Sequence, residues 1–351
     1  MGDNNGPTEV ALLLYPEVAM SAVLGLTELF GFADELTRKR LDVQAPLLRI
    51  SHFALTEEGR LERTYDSEPE MDTRPSIVVV PPCHTTSPAH PQVAFLAAWL
   101  SAQAGAGATL AAVCGGTFLL AETSLLDGLT ATTHWVYAEE LASRFPAIQV
   151  DTSRLIIDHG QILTAGGMMA WADLGLALVE RALGPEAMIE TARFTMIDPP
   201  GREQRFYSAF LPRLTHGDDA VLKVQEHLKD PDTSNLSVVS MAALAGLQER
   251  TFARRFYKAT GLSPTDYQQN LRVERARALL ETTSKSVDIV AWDVGYSDPA
   301  SFRRVFARIT GLAPSTYRKR FSSQRTSADD RHGRAMKGGQ RRTSKPEELL
   351  A

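Results

Sequence analysis

One pattern of residues occurs twice in this chain, 50 residues apart. Residues 252–267 and 302–317 share Phe, Arg, Phe, Thr, Gly, Leu, Pro and Tyr in register, and chance rarely arranges so many identities at one offset. A short helical pattern and a glycine turn precede each copy, at residues 241–246 and 289–295. The sequence therefore predicts a helix, a tight turn and a second helix, formed twice. Paired units of this kind place two recognition helices in DNA.

Both second helices are predicted to be amphipathic. Phe252 and Phe256 lie four residues apart on one side of the first helix, and the arginines and lysine of that segment fall on the other side. Gly261 and Gly311 stand where a left-handed C-cap belongs, and a proline follows each of them. An ordinary helical bundle with solvated arginines is the alternative, but it does not explain why the whole pattern is repeated.

A third helix is predicted between the two repeats. Residues 265–281 are rich in helix formers and carry three arginines. A helix of that length is a strut of roughly 25 Å, because each residue adds about 1.5 Å. This is the scale needed to hold two reading helices about one DNA turn apart.

The charge of the chain is divided unevenly along its length. The whole chain carries a net charge of −5, which alone would argue against DNA binding. Residues 236–321 hold 14 Lys and Arg against 7 Asp and Glu, a net charge of +7, and residues 322–351 add +3. Residues 1–235 therefore carry −15. The net positive charge is confined to the repeated region and the residues after it, so the acidic residues 1–235 are not expected to adhere to DNA.

Length and composition limit the class of protein. A chain of 351 residues favours two domains, each with its own core. No run of 18 apolar residues and no signal-peptide pattern occurs, so we expect a soluble, cytoplasmic protein without membrane contact. Cys83 and Cys114 are the two cysteines, which excludes a disulfide framework and a zinc cluster. The histidines lack metal spacing, so neither a metal nor another cofactor is predicted.

Residues 8–196 alternate between strand-like and helix-like segments. The short apolar runs suited to a buried parallel sheet are residues 10–15, 47–55, 76–80, 109–113 and 161–164. Helical patterns lie between them, for example at residues 91–103 and 168–183. The alternation predicts an α/β domain with helices on both faces of the sheet.

The remaining boundaries follow from composition. Residues 197–217 contain Asp-Pro-Pro-Gly and Leu-Pro-Arg-Leu-Thr-His-Gly, which predicts a linker stiffened by proline. Residues 218–321 form the predicted all-α domain with the two helix-turn-helix units. Residues 322–351 have almost no large apolar side chain, which predicts a disordered basic tail.

The most distinctive local feature of the first domain is the segment around Cys114. A buried strand, residues 109–113, runs into Cys-Gly-Gly-Thr and then into a helical segment. This is the layout of a nucleophile elbow, in which a strained turn exposes a side chain at a helix N-terminus. The helix dipole and the free N–H groups there would favour the thiolate form of Cys114.

The repeated region resembles a known family. Residues 289–302, Ile-Val-Ala-Trp-Asp-Val-Gly-Tyr-Ser-Asp-Pro-Ala-Ser-Phe, and 311–318, Gly-Leu-Ala-Pro-Ser-Thr-Tyr-Arg, carry its signature. Residues 218–321 resemble the DNA-binding domain of AraC/XylS-type transcription regulators. By this resemblance, the residues that read base edges lie early on each recognition helix.

The positions to which the resemblance assigns DNA contact are Arg250, Thr251, Ala253, Arg254, Arg255, Lys258, Ala300, Ser301, Arg303, Arg304 and Arg308. Arginine pairs with guanine O6 and N7 through two hydrogen bonds, so Arg254 and Arg304 are the predicted base contacts. Lys258, Arg255 and Arg308 are predicted to contact phosphate, which positions the protein without specifying sequence. For each single arginine the sequence leaves base and phosphate contact open.

The first domain carries a second resemblance. Residues 110–121, residues 121–135 and the Leu-Thr-Ala-Gly-Gly-Met of residues 163–168 resemble the class I glutamine-amidotransferase-like fold of the PfpI/ThiJ type. This implies a flavodoxin-like parallel sheet. Together the two halves resemble the GlxA type of AraC-family regulator over residues 8–321. In that type the first domain is expected to sense a small metabolite and to form a homodimer.

Catalysis by Cys114 is not expected. Related proteases and amidases place a histidine directly after the cysteine, where this chain has Gly115. Other members use an acidic residue on the helix after the first strand, and the equivalent position here holds Ala22. Pro82 lies where a two-glycine loop usually follows the third strand, and it has no N–H to offer an oxyanion. A cysteine-dependent hydrolase or hydratase therefore stays the weakest alternative.

Two further expectations concern the first domain. The resemblance brings the loop of Cys83 close to Cys114, so a redox-sensing regulator that oxidises this pair is an alternative function. The predicted ligand pocket is lined by Cys83, Cys114, Gly115 and His134. The leading function is a sequence-specific regulator, an activator, with promoter DNA, a small-molecule effector, a second copy of the chain and RNA polymerase as its partners.

Overall fold

The computed structural model of the chain describes residues 6–56, 59–84, 92–230 and 236–322. The chain divides into two compact units, residues 1–205 and residues 206–351. Apart from Ser322, the predicted basic tail at residues 322–351 lies outside the described residues.

The first unit contains a seven-stranded sheet in the order β3-β2-β1-β4-β5-β9-β8 and a separate pair, β6 and β7. The strands are β1 Thr8–Leu14, β2 Leu48–Leu55, β3 Leu61–Asp66, β4 Pro75–Val80, β5 Thr109–Val113, β6 Thr130–Ala131, β7 Gln149–Val150, β8 Ile156–Asp158 and β9 Ile162–Ala165. The helices are α1 Met20–Leu41, α2 Val93–Gly105, α3 Gly116–Ala121, α4 Ala138–Arg144, α5 Trp171–Leu183 and α6 Pro185–Thr195.

The central strands are buried on both faces, which explains their continuous apolar runs. Val10 and Leu12 of β1 pack into a core with α1, α5 and α6. Ala11 and Leu13 point to the opposite face, into a core with α2 and α3. Successive side chains of a strand point to opposite faces, so each face needs its own layer of helices. The predicted α/β architecture with helices on both faces is confirmed.

The two edge strands differ from the predicted parallel sheet. β3 pairs with β2 in the antiparallel direction, and β8 pairs with β9 in the same way. Neither strand was predicted. β3 reads Leu-Glu-Arg-Thr-Tyr-Asp and is largely exposed, and β8 has three residues, so both lack the apolar run that identifies a buried strand.

The second unit is helical. Its helices are α7 Asp219–Lys229, α8 Val238–Leu244, α9 Glu249–Thr260, α10 Pro264–Thr282, α11 Val287–Asp293, α12 Pro299–Thr310 and α13 Pro314–Phe321. Two small cores hold it together. Phe252 and Phe256 of α9 pack with α7 and α8 in one core. Phe302 and Phe306 of α12 pack with α11 and α13 in the other. α10 contributes to both, so it joins the two helix-turn-helix units.

The ends of the two recognition helices, α9 and α12, agree with the sequence. Gly261 and Gly311 have φ of 75° and 76° and form left-handed C-caps, a conformation that a Cβ atom disfavours. The predicted strut at residues 265–281 is α10, whose 19 residues give a length of about 28 Å. In the part of the chain that the structure covers, no helix is both long and apolar enough to cross a membrane.

The predicted linker, residues 197–217, contains the boundary between the units but is packed on both sides of it. Arg202 forms an ion pair with Asp173 in the first unit. Phe210 packs on Tyr267 in the second, with ring centroids 5.1 Å apart. The proline-rich composition predicted a stiff segment, but it could not indicate which side chains find partners on each unit.

Candidate DNA interface and sensor site

The recognition helix α9 presents a basic face to solvent. Phe252 and Phe256 are fully buried, so residues on the opposite side of the helix must face outward. Arg250, Arg254 and Lys258 are exposed and lie one turn apart. Among the described residues, Arg250 and Arg254 have no ion-pair partner. Thr251 and Ala253 are half-buried beside this face.

The recognition helix α12 repeats the arrangement. Asp298 caps its N-terminus and accepts hydrogen bonds from the N–H groups of Ala300 and Ser301, at 3.0 and 2.9 Å. The Arg304 side chain is 74% exposed, and its guanidinium is 4.0 Å from Asp298. Arg304 therefore occupies in α12 the position that Arg254 holds in α9, 50 residues earlier.

Two other arginines of α12 are exposed but paired. Arg303 forms an ion pair with Asp288 of α11. Arg308 donates a hydrogen bond to the side-chain oxygen of Gln269 on α10, at 2.5 Å, and lies 3.5 Å from Asp266. Exposed pairs of this kind contribute only about 0–1 kcal/mol, so a DNA phosphate can replace the carboxylate at little cost.

Arg255 differs from the other predicted contacts. Its guanidinium makes two hydrogen bonds to the Asp218 carboxylate, at 2.9 and 2.7 Å. Asp218 also caps α7 by accepting a hydrogen bond from Val221 N, and the pairing lowers the pKa of Asp218. Arg255 thus connects α9 to the start of α7. We therefore interpret the role of Arg255 as structural and do not propose that it contacts phosphate.

One residue on α9 was not predicted. The side chain of Tyr257 is 63% exposed and lies next to Lys258 and one turn after Arg254 on the same helix. An aromatic hydroxyl at this place can donate to a phosphate or pack on a sugar. Its only sequence signal is a large aromatic residue outside the phenylalanine pair of the core.

The elbow at Cys114 has the strained geometry that the sequence predicted. Cys114 has φ of 54°, a left-handed conformation that costs a residue with a side chain about 1–3 kcal/mol. The surrounding structure holds it there. Its N–H donates to Ala165 O at 2.7 Å, and its carbonyl oxygen accepts from Thr133 Oγ1 at 2.8 Å.

The predicted activation of the thiol is wrong. Burial raises the pKa of Cys114 to about 11, although the N–H groups of Gly115, Gly167 and His134 point at the sulfur and favour the thiolate. The side chain is fully buried in an apolar core, and the cost of placing a charge there exceeds what the three N–H groups recover. Cys83 is also fully buried and is not part of a disulfide.

The predicted ligand pocket is not open at its predicted residues. Cys83, Cys114 and Gly115 are buried, so no ligand reaches them without a rearrangement. His134 is the half-exposed member of the set, and burial lowers its pKa. The sequence predicted that these residues lie at one edge of the sheet, but it could not predict which side chains cover them.

A cavity of about 530 Å³ lies at the same edge, where β1 and β2 end. Its walls are Leu14, Tyr15, Pro16, Val18, Ala54, Leu55, Thr56 and Gln92. The Tyr15 hydroxyl donates to Pro81 O and contacts the Cys83 thiol. The cavity thus lies one side chain away from Cys83 and has the volume of small-molecule sites, about 300–1,000 Å³.

Alkylation of Cys114 in the native protein should be slow. At pH 8 a thiol of pKa about 11 is ionised to roughly one part in a thousand, against about a quarter for a free cysteine, so iodoacetamide should react at least about 100-fold more slowly. The rate should rise about tenfold per pH unit between pH 8 and 10, because the thiolate fraction is still growing.

The variant Cys83→Ala isolates the signal of Cys114 in this measurement, which is read by mass spectrometry. The same protein in guanidinium chloride is the control and should react at the rate of a free thiol. A rate that levels off near neutral pH would mean an activated thiolate, and it would return the redox and hydrolase alternatives to consideration.

Comparison with known proteins agrees with both halves of the fold. Residues 64–181 match the DJ-1/PfpI family. Residues 241–320 match a family described as a helix-turn-helix domain. The matched residues contain α9 through α12 and the exposed arginines.

The relatives extend over both domains. The HTH-type transcriptional regulator ArgR of Pseudomonas aeruginosa is 30% identical over 311 residues, which cover 84% of this chain and 88% of that protein. The HTH-type transcriptional regulator GlxA of Rhizobium meliloti is 30% identical over 199 residues, 56% of this chain and 60% of that protein. An isonitrile hydratase of Pseudomonas putida is 30% identical over 99 residues, 28% of this chain and 40% of that enzyme.

The enzyme shares only part of the chain, whereas ArgR shares both the sheet domain and the paired recognition helices. The chain therefore belongs to the AraC family of transcriptional regulators, in the GlxA type, which joins a DJ-1/PfpI domain to a C-terminal helix-turn-helix domain.

Proposed function

We propose that this regulator binds promoter DNA in the cytoplasm as a homodimer, reads its sequence with α9 and α12, and responds to a small effector held by the first unit. The observation that carries the proposal is the matched pair of exposed arginines, Arg254 and Arg304, on two helices that the sequence repeats in register. Each protomer then offers two reading helices to successive major grooves.

Specific roles follow from exposure and pairing. Arg254 and Arg304 are the proposed base contacts, because each extends from a recognition helix without a strong internal partner. Lys258, Arg303 and Arg308 are the proposed phosphate contacts. Arg250, Thr251, Ala253, Ala300 and Ser301 complete the proposed surface at the N-terminal ends of the two helices.

The first unit is proposed to dimerise and to hold the effector. Its net negative charge keeps it away from DNA, so a dimer formed there leaves the basic helices free. The cavity at the ends of β1 and β2 is the proposed effector site. Its walls are apolar or uncharged polar, which favours a small molecule that is largely apolar and carries a hydrogen-bonding group.

We propose that the first unit is a sensor and not an enzyme. Gly115 occupies the position of the histidine that related hydrolases use, and burial raises the pKa of Cys114. Activation through RNA polymerase is the expected output. An effector can switch the protein only if it binds one arrangement of the dimer more tightly than another.

The test is selection of genomic fragments by the purified full-length protein at about 150 mM salt, since this salt concentration suppresses binding driven by phosphate contacts alone. Recovery of a discrete site with two half-sites is the expected result. The double variant Arg254→Ala/Arg304→Ala, selected in parallel, should recover no discrete site. Diffuse recovery by the wild-type protein that collapses with added salt would contradict sequence reading.

A further inference from the structure

Residues 202–205, here called the strap, are held on the first unit at every position. Arg202 pairs with Asp173, with one hydrogen bond of 2.9 Å. Glu203 forms a β-bridge with Arg154, and Arg205 N donates to Ser153 O at 3.2 Å. A segment predicted as linker is therefore attached to α5 and to the chain before β8.

Gln204 is the buried anchor of the strap. Its side chain is 2% exposed. The amide oxygen accepts from Trp135 N at 2.8 Å, and the amide nitrogen donates to Thr133 O at 3.0 Å and to Thr132 Oγ1 at 3.3 Å. A buried amide with its partners satisfied is costly to remove, because every partner then loses a hydrogen bond.

A glycine makes room for this amide. A Cβ atom at Gly166 would lie 2.7 Å from Thr133 O and closer still to the Gln204 amide nitrogen. Contacts under 3.0 Å do not occur for real Cβ atoms. An alanine at position 166 must therefore displace the Gln204 side chain or the loop that binds it.

The loop that receives Gln204 is bonded to the elbow as well. Thr133 Oγ1 donates to Cys114 O at 2.8 Å, and Thr117 Oγ1 donates to Thr132 O at 3.1 Å. The N–H of His134 points at the Cys114 sulfur. A rearrangement at this edge of the sheet thus reaches Gln204 through one or two hydrogen-bonded residues.

The two residues that follow the strap are anchored within the second unit. Phe206 and Tyr207, the next two residues, both pack on the Arg320 guanidinium of the second unit, 5.4 and 5.3 Å from the ring centroids. Arg320 also donates to the Tyr207 hydroxyl at 2.6 Å. The last anchor of the first unit and the first anchor of the second are therefore adjacent in sequence.

We propose that Gln204 is a positioning residue that fixes the reach of each DNA-binding unit by keeping the strap docked. The proposal rests on the sequence-specific, dimeric DNA binding proposed above. Release of the whole strap, whose buried anchor is Gln204, would free residues 198–205, which span up to about 26–29 Å when extended. That length approaches one turn of DNA, about 34 Å, so a released dimer would tolerate different distances between its half-sites.

The experiment measures binding of the full-length protein to DNA that carries two selected half-sites with spacers varied one base pair at a time over one turn. The wild-type protein should prefer a narrow range of spacers. Gln204→Ala should reduce the ratio of affinities between the best and the worst spacer roughly tenfold. A longer free connector makes the effective concentration of the second DNA-binding unit depend less on the spacer. A loss of fold stability alone does not change the spacer preference of the molecules that stay folded.

Gly166→Ala should flatten the preference in the same way, since it displaces the same amide. The double variant Gly166→Ala/Gln204→Ala should be no flatter than either single variant, because both act through one contact. Thr191→Ala is the matched control. It also removes a buried hydrogen bond of the first unit, from Thr191 Oγ1 to Ala187 O, but it does not touch the strap.

The outcomes are distinguishable. If the wild-type protein selects no discrete site, the proposed function fails first. If it selects a site but binds all spacers equally, or if Gln204→Ala keeps the wild-type profile, the positioning role is overturned. Flattening by Thr191→Ala would also overturn it, because general weakening of the first unit would then explain the effect.

Discussion

Replacing both Arg254 and Arg304 with alanine is expected to weaken binding of the full-length protein to its selected DNA by about 2–6 kcal/mol per bound protomer. Each bidentate contact to guanine contributes about 1–3 kcal/mol of discrimination, and contacts made by separate helix-turn-helix units should add. Each single variant should therefore lose about 5- to 150-fold in affinity per bound protomer. Fluorescence anisotropy titration at about 150 mM salt measures the loss.

Salt dependence separates base contacts from phosphate contacts in the same titrations. The two arginine variants should lose affinity for the selected site and keep most of their affinity for random DNA. Lys258→Ala, a proposed phosphate contact, should weaken binding to both and reduce the slope of log affinity against log salt by about one. Lys223→Ala on α7, an exposed cation outside both recognition helices, is the control and should change little. Equal losses on selected and random DNA would mean that Arg254 and Arg304 contact phosphate only.

The parts of the fold that depend on local chemistry could be predicted from the sequence. The two left-handed caps at Gly261 and Gly311 follow from glycine, which alone adopts that conformation without steric cost. The central strands follow from apolar runs, because a strand buried on both faces has no polar side to show. The repeat also predicted both recognition helices, because the same helical pattern occurs twice in the chain and each copy supports the other.

The parts that depend on distant partners could not be predicted. Gln204 lies in a polar, proline-rich segment, and nothing near it in sequence indicates that Thr133 and Trp135 receive its amide. The state of Cys114 also depends on distant residues. Its elbow was predictable from the strand and the small residues beside it, but its raised pKa comes from the apolar side chains that bury it.

β3 is the clearest case of a strand held by partners that are distant in sequence. Its charged, exposed sequence gives no strand signal. Arg49 of β2 is 1% exposed, and its guanidinium pairs with Asp66 at the end of β3, 2.5 Å away. Glu9 of β1 is fully buried and receives Arg63 of β3 at 2.8 Å. A network of buried charges across three strands therefore attaches this edge strand to the sheet.

This network of charges predicts a large loss of stability when its central carboxylate, Glu9, is removed. Glu9→Ala should lower the free energy of unfolding of the first unit by about 3–5 kcal/mol, because it removes a fully buried carboxylate and leaves its hydrogen-bond donors without an acceptor. Three of these donors are close to Glu9: Ser51 Oγ and Thr73 Oγ1, each at 2.7 Å, and the Arg63 guanidinium at 2.8 Å. Arg49 keeps its pair with Asp66, so the loss should not exceed that range.

Guanidinium unfolding followed by tryptophan fluorescence measures this loss. In a Trp292→Phe background the three remaining tryptophans, Trp99, Trp135 and Trp171, all lie in the first unit, so the signal reports that unit alone. Glu62→Ala, which removes an exposed carboxylate from β3, should stay within about 0.5 kcal/mol of the parent. Glu9→Gln keeps the shape and part of the hydrogen bonding, so it should lie between the two. If Glu9→Ala were as stable as Glu62→Ala, the buried charges would not be what holds β3, and its attachment would have to come from the β2–β3 backbone hydrogen bonds alone.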